Sequence, residues 1–137
     1  MLALTGCFHD DEEQFSLDGV WVSSCYSVLP ISQVLFGIST MTFSSPDLKQ
    51  EVTLFNDSSC SQEPREQETF LSTYMIGDKV ITSGGIEARE IISESKGDSN
   101  YSIFGLIENK LYFGDSDSSE DTNYPTKLEY SVYFIKQ

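Results

Sequence analysis

The chain has 137 residues, 39% of them hydrophobic and 12% aromatic, enough apolar content for one buried core and too much for a chain that stays unfolded. Its 22 acids against 8 bases give a net charge of −14, a potential that repels phosphate backbones. No basic patch with interleaved aromatics interrupts it, which argues against nucleic acid as a partner and leaves acidity as a solubility device.

In chain order the first stretch is Leu2-Ala3-Leu4-Thr5-Gly6-Cys7, followed at once by Phe8-His9-Asp10-Asp11-Glu12-Glu13-Gln14. An aliphatic residue, two small ones and a cysteine, Leu4-Thr5-Gly6-Cys7, resemble the lipobox of bacterial lipoproteins. That resemblance implies that a signal peptidase cuts before Cys7, whose thiol and new amino group then take up acyl chains. At about 0.8 kcal/mol per buried methylene, two or three such chains hold a protein on a membrane for practical purposes permanently. The layout implied is a signal remnant over residues 1–6, an acidic flexible tether over 7–16 and a single β domain over 17–137. A secretory signal carries a basic leader and an apolar region of roughly 7–15 residues. Six residues precede Cys7 and none is basic, so the numbering is expected to start inside the signal; the alternative is a chance match and a free N-terminal thiol. In the resembled family an aspartate directly after the cysteine retains the protein at the inner membrane. Phe8 stands there instead, which implies the outer membrane of a Gram-negative envelope.

From Leu17 onward the apolar residues recur with a period close to two, and turn residues follow every ten or so positions. Strands are predicted over Gly19–Tyr26, over Leu35–Ser44 with Phe36, Ile38 and Thr40 on one face, and over Leu48–Asn56. A turn over Asp57–Pro64 separates these from Thr69–Ile76, which ends at a Gly77-Asp78 turn. Lys79–Ser83 and Glu87–Ser95 follow, then a loop at Lys96–Asn100. Tyr101–Ile107 and Leu111–Phe113 form a hairpin around Glu108-Asn109-Lys110. The last strand, Leu128–Lys136, sets Leu128, Tyr130, Val132 and Phe134 on one side. No segment reads as a helix, and no apolar run approaches the roughly 20 residues of a membrane-crossing one. The fold class expected is all-β: an antiparallel up-and-down meander of eight or nine strands closed into a barrel, with an open two-sheet sandwich as the alternative.

With Cys7 acylated, Cys25 and Cys60 remain as an even pair in an oxidising compartment, the ordinary setting for a structural disulfide; two separate buried thiols are the alternative. Leu17-Asp18-Gly19-Val20-Trp21 enters the first strand with a G-x-W. This is similar to the entry motif of lipocalins and smaller lipocalin-like barrels, where the glycine turns the chain in and the tryptophan plugs the closed end. The resemblance implies a basic side chain from the last strand across the indole, and Lys136 stands where it would come from. The family's usual residue there is arginine, and its T-D-Y-type turn and flanking helix are not found.

Ser–His and Cys–His catalysis require a histidine held in the fold, and the single one, His9, lies in the tether. Asp115, Asp117 and Ser119 alternate as calcium ligands would. Glu120, however, replaces the glycine at position six of such a loop and Thr126 the acid at position twelve. Residues 115–123 therefore read as a solvated acidic loop, and no metal or cofactor is expected. The function expected is a non-enzymatic, membrane-anchored binding or interaction module. A carrier of a small apolar ligand, or a carboxylate-based glycan hydrolase, is the alternative. Phe36, Phe55, Phe70, Tyr74, Phe104, Phe113 and Phe134 suffice to fill a small barrel, which would leave its outer surface and loops to meet an envelope protein partner, whereas an open-mouthed cavity above about 300 Å³ would favour ligand carriage.

Overall fold

A computed structural model describes residues 16–29, 35–118 and 124–137. Cys7, His9, the signal remnant, the tether up to residue 15 and positions 119–123 of the acidic loop lie outside the described residues. The strands are β1 (Gly19–Ser23), β2 (Tyr26–Leu29), β3 (Leu35–Ser44), β4 (Asp47–Phe55), β5 (Glu66–Ile81), β6 (Glu87–Ser95), β7 (Asp98–Ile107), β8 (Lys110–Phe113) and β9 (Phe134–Lys136). All pair antiparallel in one nine-stranded sheet, and β1 meets both β9 and β3, so that eight strands close into a barrel with β2 as an extra strand. The closed barrel, not the sandwich, is therefore the architecture. A 3-10 turn at Ser116–Ser118 is the helical element among the described residues.

The predicted first strand is broken in two. Gly19 to Val22 pair with Phe43 to Thr40 of β3, but Tyr26 pairs with Gly37, one residue out of step. The extra residue is a bulge at Ser24-Cys25, fixed where the Ser24 N–H donates to the Tyr133 carbonyl at 2.8 Å and the Tyr133 N–H donates to Ser24 Oγ at 3.3 Å. Past the bulge β2 keeps β3 but not β9. On the far side, Glu66–Ser72 of β5 pair with β4, while β6 starts its pairing with β5 at Thr73. One wall of the barrel, β2 to the first half of β5, thus stands taller than the rest.

Two predicted strands fuse. Gly77-Asp78 is not a turn but a second bulge inside the 16-residue β5, where the register shifts between Ile76 and Lys79 and the Asp78 N–H donates to Glu90 Oε1 at 3.4 Å. A bulge adds local twist, which a small barrel needs in order to close. The loop predicted at Lys96–Asn100 shrinks to Lys96-Gly97: both have positive φ, 53° and 86°, the backbone of a two-residue hairpin turn. β7 accordingly starts at Asp98.

The predicted strand Leu128–Lys136 shortens to Phe134–Lys136. Before it, residues 124–128 cross the outside of the barrel. Leu128 packs with Ala88 and Ile103 in a small outer cluster joined by Val80, Ile86 and Tyr124. Ser118 ties this strap down: its buried Oγ accepts the N–H groups of Thr126 at 3.0 Å and Lys127 at 3.1 Å and donates to the Asp115 carbonyl. Gly114 lies beneath, where a Cβ would stand 2.7 Å from Pro125, so a side chain there would lift the strap.

The main core fills the barrel's lower half with Leu17, Trp21, Phe43, Leu48, Tyr74, Ile91, Phe104, Leu111 and Phe134. Phe43 and Tyr74 meet edge to face at 5.0 Å, and Phe113 and Phe134 at 5.4 Å. Phe36 and Phe55, expected among the filling aromatics, are cross-strand partners on the opposite face of the sheet, because Gly37 and Leu54 take the inward positions beside them. The face shared by Phe36, Ile38 and Thr40 is thus the outer one, and the inward set of β3 is Gly37, Ser39, Met41 and Phe43.

Candidate functional site

One end of the barrel is plugged. Leu17 is wholly buried and Trp21 is 4% exposed, with the indole N–H donating to the Leu17 carbonyl at 2.9 Å. Trp21 and Lys136 are cross-strand partners, and the Lys136 ammonium sits 5.7 Å from the indole centroid, within cation–π range. Lys136 reaches that position across Gly19. There a Cβ would stand 2.7 Å from Lys136 Cε, and the backbone has φ +131°, so both space and conformation require glycine. Gly19, Trp21 and Lys136 are thus brought together at one end. Asp18 holds the entry segment by accepting the Ser45 N–H at 3.1 Å and the Tyr74 hydroxyl at 3.3 Å. Burial, and then the Asp18 carboxylate beside it, push the Tyr74 phenol up, so it stays a donor.

The other half is hollow. Above the apolar core the inward positions change character at one level around the ring: Ser39 on β3, Gln50 on β4, Ser72 on β5, Ser93 on β6, Asn100 and Ser102 on β7. Register staggers them into a belt, since Met41 faces Gln50, Leu48 faces Ser72, Ile91 faces Ser102 and Ser93 faces Asn100. They enclose a cup of 270 Å³ whose walls are Gln50, Ser72, Ser93, Asn100 and Ser102. Its floor and remaining side are Met41, Leu48, Ile91, Phe113 and Phe134. Asn100 is exposed and marks the mouth.

Part of the belt is braced by the protein itself. Gln50 Nε2 donates to Ser39 Oγ at 2.8 Å, the Ser39 N–H donates to Ser23 Oγ at 2.8 Å, and that hydroxyl donates to the Ser24 carbonyl. Tyr26 joins it, its phenol pushed up by burial and partly brought back by a hydrogen bond from Ser39. Ser102 Oγ donates to the Ile103 carbonyl and accepts the Gly114 N–H, both at 3.3 Å. Among the described residues, nothing takes up the hydroxyls of Ser72 and Ser93 or the amide of Asn100. These face the cup ready to bond whatever enters it.

At the mouth end, Cys25 in the first bulge and Cys60 in the β4–β5 loop are joined as a disulfide, Cα to Cα 5.9 Å. Asp57 organises that loop: its carboxylate accepts the Ser61 N–H at 2.9 Å, the Ser59 hydroxyl at 2.9 Å and the Gln62 N–H at 3.4 Å. These bonds, the one from the Ser61 backbone foremost, hold its pKa down at about 2. A carboxyl with a lowered folded-state pKa stabilises above its unfolded value and loses that contribution as pH falls through the folded one. A carboxyl ¹³C titration should therefore put the Asp57 midpoint near 2, with the loop loosening between about pH 4 and pH 2; a midpoint near 4 would mean the turn is not held this way.

No family model, curated protein or solved structure matches the chain.

Among the described residues no three His, Cys, Asp or Glu side chains gather as metal ligands. Of the acidic loop, Asp115 and the turn Ser116–Ser118 are described, and Ser118 is engaged in fastening the strap. The belt itself went unread in the sequence. Its signal was parity: Ser72 is in step with Tyr74, Ser93 with Ile91 and Ser102 with Phe104, so each polar residue occupies a core-facing position.

Proposed function

We propose that this protein is a non-enzymatic, membrane-anchored binding module of the bacterial cell envelope, with Cys7 as its lipid attachment point and the barrel's cup as its working site. The observation that carries the reading is the asymmetry of the barrel: plugged at the Trp21 end and hollow at the other, with the hollow lined by side chains that stop short of filling it. An eight-stranded barrel has an interior just wide enough either to be packed solid or to hold one small ligand. This one is packed below and leaves a cup above. The cup, at 270 Å³, does not reach the roughly 300 Å³ that would mark a carrier, so any ligand it takes is a compact one.

Anchorage is supported by Leu4-Thr5-Gly6-Cys7 and the acidic run after it, and by the Cys25–Cys60 pairing, which suits an oxidising compartment outside the cytosol. Phe8 after Cys7 supports the outer membrane. The sequence speaks against Ser–His and Cys–His catalysis, since its single histidine precedes the barrel. A carrier of an apolar ligand is the second reading, favoured by the floor of Met41, Leu48, Ile91, Phe113 and Phe134.

Native mass spectrometry of protein extracted from membranes tests this. The expected result is an acylated Cys7, a Cys25–Cys60 crosslink and a retained small molecule in one spectrum. Protein recovered from the cytosol with an unmodified N terminus would overturn the anchorage.

A further inference from the structure

We infer that the cup takes a neutral, hydroxyl-rich ligand about the size of one sugar ring, an inference that rests on the cup being the binding site. Three observations converge on that class. The first is charge: the chain carries 22 acids and 8 bases, yet none of the side chains lining the cup is ionisable. An ionised ligand would enter without a counter-charge and lose its hydration for nothing. The second is bonding type. Ser72 and Ser93 offer hydroxyls and Asn100 an amide, all of which both donate and accept, while Gln50 and Ser102 keep acceptor capacity beside the bonds they already make. A ring of hydroxyls has the same double character, so each group finds a partner whichever way it turns. A purely apolar ligand would instead cut the unengaged hydroxyls of Ser72 and Ser93 and the Asn100 amide off from water, and unmade hydrogen bonds count against binding.

The third is shape. The belt lines one side of the cup beside an apolar floor, with Phe113 set edge-on to Phe134 on the other side. A ligand with hydroxyls at its rim and C–H bonds on its faces matches both surfaces. A space of 270 Å³, just under the range of small-molecule sites, suits a single compact ring better than a chain of them.

The test is a ¹⁵N titration of the full chain, read at the side-chain amides of Gln50 and Asn100. N-acetylglucosamine and glucose are the neutral hydroxyl-rich probes, 1-decanol the apolar one and benzylamine the cationic one. At least one sugar is expected to shift both amides saturably, and decanol and benzylamine to bind at least about tenfold more weakly. Asn100→Ala should weaken the sugar about five-fold. Ser93→Leu, which fills the cup, should abolish binding while the Trp21 indole resonance stays in place, showing that the plugged end is still folded. Decanol or benzylamine shifting the same amides more tightly than the sugars would overturn the ligand class and leave the cup as the site. If no probe moves these amides, the class falls and the cup falls with it.

Discussion

Trp21→Ala is expected to destabilise the protein by about 3–5 kcal/mol, the range for deleting a large buried aromatic side chain. The indole is the centre of the plugged end: Leu17 packs against it, Lys136 lies over it, and its N–H takes the Leu17 carbonyl. Alanine leaves a cavity there and a buried carbonyl without its donor, and the two costs add. Lys136→Ala should cost far less, about 0.5–1 kcal/mol, since the ammonium is exposed and contributes a cation–π contact at a wet site. Urea unfolding midpoints with unchanged slopes measure both. A Trp21→Ala loss below about 1 kcal/mol would show that the barrel is not closed at this end in the way its contacts indicate.

The second large effect is removal of the crosslink. Cys25 and Cys60 are 35 residues apart, and closing a loop of that length in the unfolded chain stabilises the native state by roughly 3–4 kcal/mol in the chain-entropy model. The double variant Cys25→Ser/Cys60→Ser, or wild-type protein under a strong reductant, should show that shift in urea midpoint. The barrel should persist, because the bridge joins a bulge and a loop at the mouth and passes through no part of the core. Equal stability with and without reductant would refute the pairing as a structural element.

Much of the fold was legible because strand period is set by the pleat. Turn residues with a mechanism of their own, Gly97 and the Glu108-Asn109 pair, fall where the chain reverses, and both members of that pair have positive φ. The cysteines and the entry motif were legible for a different reason: few residue types perform those tasks, so Cys25, Cys60, Gly19 and Trp21 were conspicuous singly. The errors share a cause as well. Gly77-Asp78 has the composition of a turn, yet whether such a pair reverses a strand or bulges it depends on the cross-strand neighbour, here Glu90. Leu128, Tyr130, Val132 and Phe134 alternate like a strand, but Leu128 and Phe134 serve different clusters, one outside the barrel and one inside. The belt is the deepest case. A serine in step with core residues reads as an interruption on its own strand. It becomes a surface only when the ring closes and brings Ser72, Ser93 and Ser102 from three strands to one level, a relation between distant segments that no single window contains.

The ring is sealed where β9 slots between β8 and β1, a seam of three residues whose partners on β1 come from the opposite end of the described chain. Joining segments that far apart in sequence costs loop-closure entropy, and a chain without this seam is an open ribbon with two raw edges. No vessel exists until Phe134, Ile135 and Lys136 arrive. Phe134 is both part of that seam and part of the cup's lining, so anything that loosens this short strand opens the container itself.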